Sequence, residues 1–452
     1  MRGYLGVALT AALVGSLGVA PAAGAAAAGG TAAGPPSAGA AGACEVHVMK
    51  GPDGAFDGTV MDIERVPGKG VVYYGSMVVP QADGTEARRA FVWYGLGTDP
   101  VPVGPAGTLW DVAFELTPSG WINGQSTMDE SGREQAWVQN LRTGALTWVE
   151  TGQAEGIYVR RINDRGEPVG TLHTGEFTSD AAWWPWADRP PRLLGGGDLG
   201  SAEAWAINHR RDVTGSYAVE VPEGIVPQGV VWTSKGAALL ASNPGVAADT
   251  FSRVLSDAGQ SAGGAWYGPW DGGHYEAARW PEPGRIESLG LLPGGGFSGV
   301  YGQSENGWVT GVADVFDPES PGAAEWGAVD HSVLWTDNAG TVRVLPSPYA
   351  DAHGLTDWSE WYGGVAHGVN DRLDQVGSAS HVGWGDDGAL LYGATVFVNA
   401  SACGEAVPTT HTAFWNEPST DAAARRLSTA PTAQPDAYRH GAVRERVSGR
   451  TQ

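Results

Sequence analysis

Between Ile157 and Leu194, hydrophobic and polar positions alternate in short runs separated by turn formers, a pattern of narrow strands rather than helices. Ile157-Tyr158-Val159-Arg160-Arg161-Ile162 predicts a first strand and Val169-Gly170-Thr171-Leu172 a second. Asn163-Asp164-Arg165-Gly166 between them is a tight turn whose glycine can adopt positive φ. Ala181-Ala182-Trp183-Trp184 and Arg192-Leu193-Leu194 supply a third and a fourth strand before Gly195-Gly196-Gly197. The unit then recurs. A small polar residue stands seven positions before a glycine from Thr117 to Gly124, Asn163 to Gly170, Asn208 to Gly215, Ser256 to Gly263, Ser304 to Gly311 and Asn370 to Gly377, with a weaker copy from Gly68 to Gly75.

The closing glycines follow one another at 49, 46, 45, 48, 48 and 66 residues, a period that suits four-stranded blades. The expectation is an all-β chain with a seven-bladed β-propeller over residues 44–416. The last copy is stretched, with Phe397 and Trp415 competing for the third-strand position, so eight blades or an added strand remain open. Glu45-Val46-His47-Val48-Met49 alternates like a strand but has no repeat before it, and is expected to complete the last blade. Trp93, Trp137, Trp183, Trp232, Trp280 and Trp335 recur once per unit, as flat apolar bodies between packed sheets would.

The ends of the chain are different. Arg2 precedes an apolar run from Leu5 to Ala20 and an A-x-A site at Ala23-Gly24-Ala25, so residues 1–25 are expected to be a secretory signal peptide and the protein to be extracellular. Residues 26–43 form an Ala/Gly/Pro-rich linker. It separates Cys44 from the apolar run and argues against a lipid-anchor reading of Ala41-Gly42-Ala43-Cys44. From Glu417 to the end, six arginines and four acids lie among Ala, Ser, Thr and Pro, a composition expected to be disordered. Cys44 and Cys403 are the only cysteines and flank the array, and in an exported protein they are expected to form a disulfide. With 27 Lys plus Arg against 50 Asp plus Glu, and only three lysines, neither nucleic acid nor an anionic membrane surface is a suitable partner.

The Ile-Asn-x-x-Gly-x-x-x-Gly phrases resemble those of the extracellular HAF-repeat proteins, named for a His-Ala-Phe element. So do Ala90-Phe91-Val92-Trp93, Ala136-Trp137, Ala182-Trp183, Leu289-Gly290-Leu291-Leu292-Pro293-Gly294-Gly295-Gly296 and His411-Thr412-Ala413-Phe414-Trp415. The resemblance covers about residues 60–416; it departs at Thr412, which interrupts the triplet, and at Thr117, Ser256 and Ser304, which replace Asn. It implies a secreted propeller-like repeat protein with no generally assigned activity.

No catalytic constellation stands out. Gly259-Gln260-Ser261-Ala262-Gly263 fits a nucleophile-elbow pattern, but both glycines are repeat positions. The chain has no H-E-x-x-H, P-loop, dinucleotide fingerprint or C-x-x-C motif. What varies between units is the connection from second to third strand, on the propeller face opposite the tight turns. Those connections place Trp270, His274, Tyr275, Trp326, His331, Trp358 and Trp361 among carboxylates as candidate ligand-binding residues. Rings stack on sugar faces while carboxylates accept hydroxyl hydrogen bonds. The expected function is therefore binding of a glycan or another cell-envelope component by a monomer. A polysaccharide hydrolase or lyase with paired carboxylates and a structural envelope or spore-associated protein are the alternatives. No cofactor is implied; calcium among the acids is conceivable, but no loop has EF-hand spacing.

Overall fold

The computed structural model describes residues 43–410 apart from 129–131, 133, 153, 176–177, 196–200, 223, 243–248, 269–272, 318–327, 337–339, 356, 358–360, 362, 371 and 385–389. Residue 132, between two of these gaps, is described. The chain is a seven-bladed β-propeller of antiparallel sheets. Blade 3 follows the expected four strands, Gly156–Ile162, Pro168–Gly175, Thr178–Trp183 and Arg192–Leu193. The innermost strands of blades 1 to 7 are Phe56–Val66, Trp110–Leu116, Gly156–Ile162, Ala202–Ile207, Thr250–Leu255, Ser298–Gln303 and Gly364–Asn370. Each packs against the next, and the seventh packs against the first, so the ring is closed.

Closure uses both ends of the array. Glu45–Val48 pairs antiparallel with Thr395–Val398 and becomes the outer strand of blade 7. The chain leaving that blade turns back, and Glu405–Pro408 adds a fifth strand to blade 6 beside Thr341–Val344. The long last interval is thus filled by a connection containing the helix Pro348–His353 and by no eighth blade. Phe397, fully buried, holds the third-strand position of blade 7, and Trp415 lies outside the described residues. Cys44 and Cys403 are disulfide-bonded with Cα atoms 4.7 Å apart, a link across a sequence separation of 359.

Five of the six recurrent tryptophans are buried, and most use the indole N–H as well as the ring. Trp93, Trp280 and Trp335 donate to the backbone carbonyls of Lys50, Ala241 and Leu289 at 2.7, 2.9 and 3.0 Å. Blade 3 differs. There Trp184 is the fully buried ring and donates to Glu150 at 2.7 Å, while Trp183, the expected core residue, is half-buried beneath Arg192 and Arg211. Two adjacent tryptophans on one strand face opposite ways, so only one can enter the core.

The small polar residue of the repeat caps its own turn. Asn163 Oδ1 accepts from the amides of Arg165 and Glu167, and Gly166 has φ of +77°, as the tight turn requires. Where the residue is Asn, its amide also reaches the next blade: Asn163 Nδ2 donates to the Asn208 carbonyl, Asn208 to Ser256 and Asn370 to Ile63. Ser256, Ser304 and Thr117 keep the first bond, through their hydroxyls to Gln260, Trp308 and Trp121, but carry no amide to make the second.

Candidate axial ligand site

Blades stack face to face, so side chains that alternate regularly along a strand point into neighbouring blades and cannot reach the propeller axis. A β-bulge breaks that alternation and re-aims one residue. Every innermost strand has one, at Met61, Phe114, Arg160, Trp205, Arg253, Tyr301 and the pair His367-Gly368. These seven side chains, with Arg161, line a single axial pocket.

The closing glycine of the repeat is what admits the bulge. In blades 1 to 6 it pairs with the residue just before the bulge, as Gly170 does with Val159 and Gly263 with Ser252. A Cβ on Gly170 would lie 2.8 Å from Val159 Cα and closer still to the Tyr158 carbonyl oxygen. The repeat therefore marks the site indirectly: in six of seven copies the axial residue stands ten positions before the closing glycine, and in the first copy fourteen.

Arg160, 8% exposed, lays its guanidinium 3.5 Å from the Tyr158 ring centroid and 4.0 Å from that of Trp205. Arg253 lies 5.2 Å from Trp205 and 4.5 Å from Tyr301, and donates to the Val300 carbonyl at 3.2 Å. Tyr301 meets the edge of His367 at 5.0 Å. Rings and guanidiniums thus alternate around half of the axis, each cation held over π faces. Arg161 is ion-paired with Glu115 and donates to the Tyr301 carbonyl at 3.0 Å.

Burial pulls the Arg160 guanidinium below its ordinary range, against the attraction of Tyr158 and Glu203. Burial also lowers His367 to about 3, with Arg253 and Arg161 adding to the effect, so the imidazole is neutral at physiological pH. Beside the pocket, burial and the Glu115 charge raise Asp62 to about 8, and burial and the Asp62 charge raise Glu64 to about 9. Among the described residues, no carboxylate lines the pocket. The volume open to the centres of water-sized molecules is about 50 Å³, several times the ~10–15 Å³ that one water needs. It is room for a small group rather than a whole oligosaccharide.

These protonation states predict how stability varies with pH. Folded Asp62 and Glu64 hold protons to about pH 8 and 9, whereas their ordinary values are 3.8 and 4.5. Their contribution is complete below the lower pair of values and is lost as pH rises through the upper pair. His331 and His367 have the opposite sign. Lowered from 6.5 to about 4 and about 3, they contribute above 6.5 and lose that contribution as pH falls through those values. The two pairs offset each other in mild acid, and the carboxylates act alone above pH 6.5. Stability should therefore fall between pH 6.5 and 9, by at most ~1.4 kcal/mol per pH unit for each group, and the thermal midpoint should fall with it. Asp62→Asn should flatten that fall; an equally steep profile in the variant would contradict the assignment.

Of the candidates on the variable connections, Trp270, Trp326 and Trp358 lie outside the described residues. His274 is half-buried at the start of the third strand of blade 5, at the end of the blade opposite the tight turn, and bonds Glu276 at 2.7 Å. Tyr275, His331 and Trp361 are buried. Tyr275 donates its hydroxyl to Asp249, His331 Nδ1 donates to the Trp361 carbonyl at 3.2 Å, and the Trp361 indole donates to Leu355 at 3.0 Å. These three pack and hydrogen-bond within the protein, in blades 5 and 6 and in the link to blade 7. They form no platform together.

No protein-family model matches the chain, and no curated protein does. Solved propellers do. The acylaminoacyl peptidase of Pyrococcus horikoshii is 10% identical with a TM-score of 0.40 over 64% of this chain and 46% of that one, so the chain spans a little under half of that enzyme's length. The β-propeller domain of the trilobed protease from Pyrococcus furiosus is also 10% identical, with a TM-score of 0.41 over 64% of this chain and 83% of that domain. A Trypanosoma rangeli sialidase is 8% identical with a TM-score of 0.30 over 77% and 54% of the two chains.

Proposed function

We propose that the chain is an exported binding propeller, akin to the HAF-repeat proteins, that holds an anionic group of a glycan or another envelope component at its axis. One observation carries this reading. A protein of formal net charge −23 turns three guanidiniums and, among the described residues, no carboxylate toward its axial pocket, beside the rings of Phe114, Trp205 and Tyr301. Desolvated, pre-positioned cations beside apolar surface bind an anion attached to an apolar body. Paired-carboxylate hydrolysis has less support, since the described residues of the pocket lining supply no such pair. The leader-like first 25 residues and the disulfide at Cys44 and Cys403 fit an extracellular setting.

The test is a glycan array and calorimetric titration of the purified protein. Uronate-containing oligomers should bind and their neutral counterparts should not, and Arg253→Gln should weaken binding by about tenfold or more. Equal binding of neutral and acidic oligomers, or affinity unchanged in Arg253→Gln, would move the site elsewhere.

A further inference from the structure

We infer that a small monovalent cation, sodium or potassium, binds in a polar layer between blades 1, 2 and 3; the inference stands apart from the axial binding reading above. The layer is built by the residue after each bulge, which returns from the axis to the face of its blade. In blades 4, 5 and 6 that residue is Ala206, Val254 and Gly302, small or apolar. In blades 1, 2 and 3 it is Asp62, Glu115 and Arg161. Asp62 Oδ2 accepts from the Leu116 amide at 3.4 Å and Glu115 Oε2 from Arg161, so the layer crosses two blade interfaces. Its charges do not balance. Asp62, Glu64 and Glu115 lie in one another's field, Asp164 adds to it from the turn of blade 3, and Arg161 is the cation that acts on Asp62 and Glu115. Carboxylates held away from water need a counter-charge. Protons on Asp62 and Glu64 can supply it, and a bound cation would take their place.

Two side chains in the same layer point to a ligand directly. Tyr74 and Asn123 are both 0% exposed. The Tyr74 hydroxyl and both atoms of the Asn123 amide find no hydrogen-bond partner among the described residues. Tyr74 stands opposite Asp62 in the strand register and Asn123 opposite Glu115, and residues directly opposite share a face of the sheet, so both are aimed into the layer. The Tyr74 hydroxyl lies in the field of Asp62, Glu115 and Arg161. Unbonded polar atoms at that depth mark an ion or a water, and a water brings no charge. The donors select the ion. Among the described residues, no group of three His, Cys, Asp or Glu side chains could hold a metal ion, so a divalent cage of acids is not built here. A monovalent cation asks for less charge: a carboxylate oxygen of Asp62 or Glu115 with the neutral oxygens of Tyr74 and Asn123 supplies hard donors of the right kind. The Glu115 and Arg161 side chains are 19% and 25% exposed, which gives the ion a way in from solvent.

The test is thermal unfolding of the full-length protein at pH 9, where protons compete least, in sodium, potassium, calcium and choline chloride at one ionic strength, so that screening is equal. Choline is too large to share the layer's donors. Sodium or potassium should raise the midpoint by about 2–4 °C over choline, saturably with concentration, and the larger of the two shifts identifies the ion. In Asn123→Leu and in Tyr74→Phe the advantage over choline should vanish, while the midpoint in choline itself should hardly move, because an unbonded polar atom contributes nothing there. A merely structural role would lower the midpoint equally in every salt. As a second readout, the ²³Na resonance should broaden with the wild-type protein, sharpen when potassium is added, and stay narrow with Asn123→Leu. Equal midpoints in sodium, potassium and choline with a narrow ²³Na line would mean that water alone fills the layer, and the inference is overturned. It is overturned as well if calcium stabilises where sodium and potassium do not, or if the sodium effect persists in both variants. None of these outcomes bears on uronate binding, so the axial reading stands or falls separately.

Discussion

Gly170→Ala is expected to destabilise the propeller by about 3–5 kcal/mol, the upper range for a single substitution. The new Cβ would sit 2.8 Å from Val159 Cα and nearer still to the Tyr158 carbonyl oxygen, and both obstacles are backbone, so no flexible side chain can yield. Relief requires the bulge at Arg160 to flatten. That would return the Arg160 guanidinium to the sheet face and break its contacts with Tyr158 and Trp205. The loss should therefore appear twice, as a lower urea midpoint and as weakened axial binding in whatever fraction stays folded. Gly284→Ala is the control. A Cβ there meets nothing within 4 Å and its φ is not in the left-handed region, so the change should be within about 0.5 kcal/mol of neutral. Equal urea midpoints for the two variants would show that the repeat glycine does not support the bulge.

That glycine also explains which parts of the molecule could be read from the sequence. Blade type, blade count, the completing strand at Glu45–Val48 and the Cys44 to Cys403 link follow from spacing and alternation, because a closed ring of identical units leaves few ways to seat the ends. The fifth strand at Glu405–Pro408 lies beyond the last closing glycine, Gly377, and was legible only as one of the open alternatives for the stretched last copy, since a short edge strand has no pattern of its own. The axial site was missed because alternation assigns Arg160 and Arg161 to opposite faces of a regular strand. Only the bulge turns Arg160 inward, and a bulge has no signature in its own strand; it is written in the glycine ten residues later, on the partner. The more conspicuous signal in the sequence is the set of aromatic residues in long connections. Tyr275, His331 and Trp361 illustrate why that signal is weak: a ring near a loop serves as readily to seal the blade end, and here each of the three is buried with its polar atom satisfied by a neighbour.

Breaking the Cys44 to Cys403 bond should have the second large effect, about 3–5 kcal/mol by the chain-entropy argument for a very long loop. The bond joins two elements otherwise held by edge pairing, by the packing of Val46 and Cys403 in one apolar cluster and by a few hydrogen bonds, such as Asn399 Nδ2 to the Ala43 carbonyl and the Ser401 amide to Asp374. Cys44 precedes the outer strand of blade 7, held by four residue pairs to Thr395–Val398. Cys403 follows the short turn at Ala400–Ala402 and leads into the fifth strand of blade 6. Without the link the first strand can detach at its free end, and blade 7 loses the strand that completes it. Cys44→Ser combined with Cys403→Ser should lower the urea midpoint, and limited proteolysis should cut first within the outer strands of blades 6 and 7. Axial binding at 25 °C should be retained in the protein that stays folded, because the ring of bulges lies on the innermost strands, the farthest in each blade from this seam. Intact-mass analysis before and after reduction establishes whether the bond is present in the purified protein. An unchanged midpoint in the double variant would mean that edge pairing and packing hold the ring closed without the bond, while a loss of axial binding at full folding would tie the seam to the site.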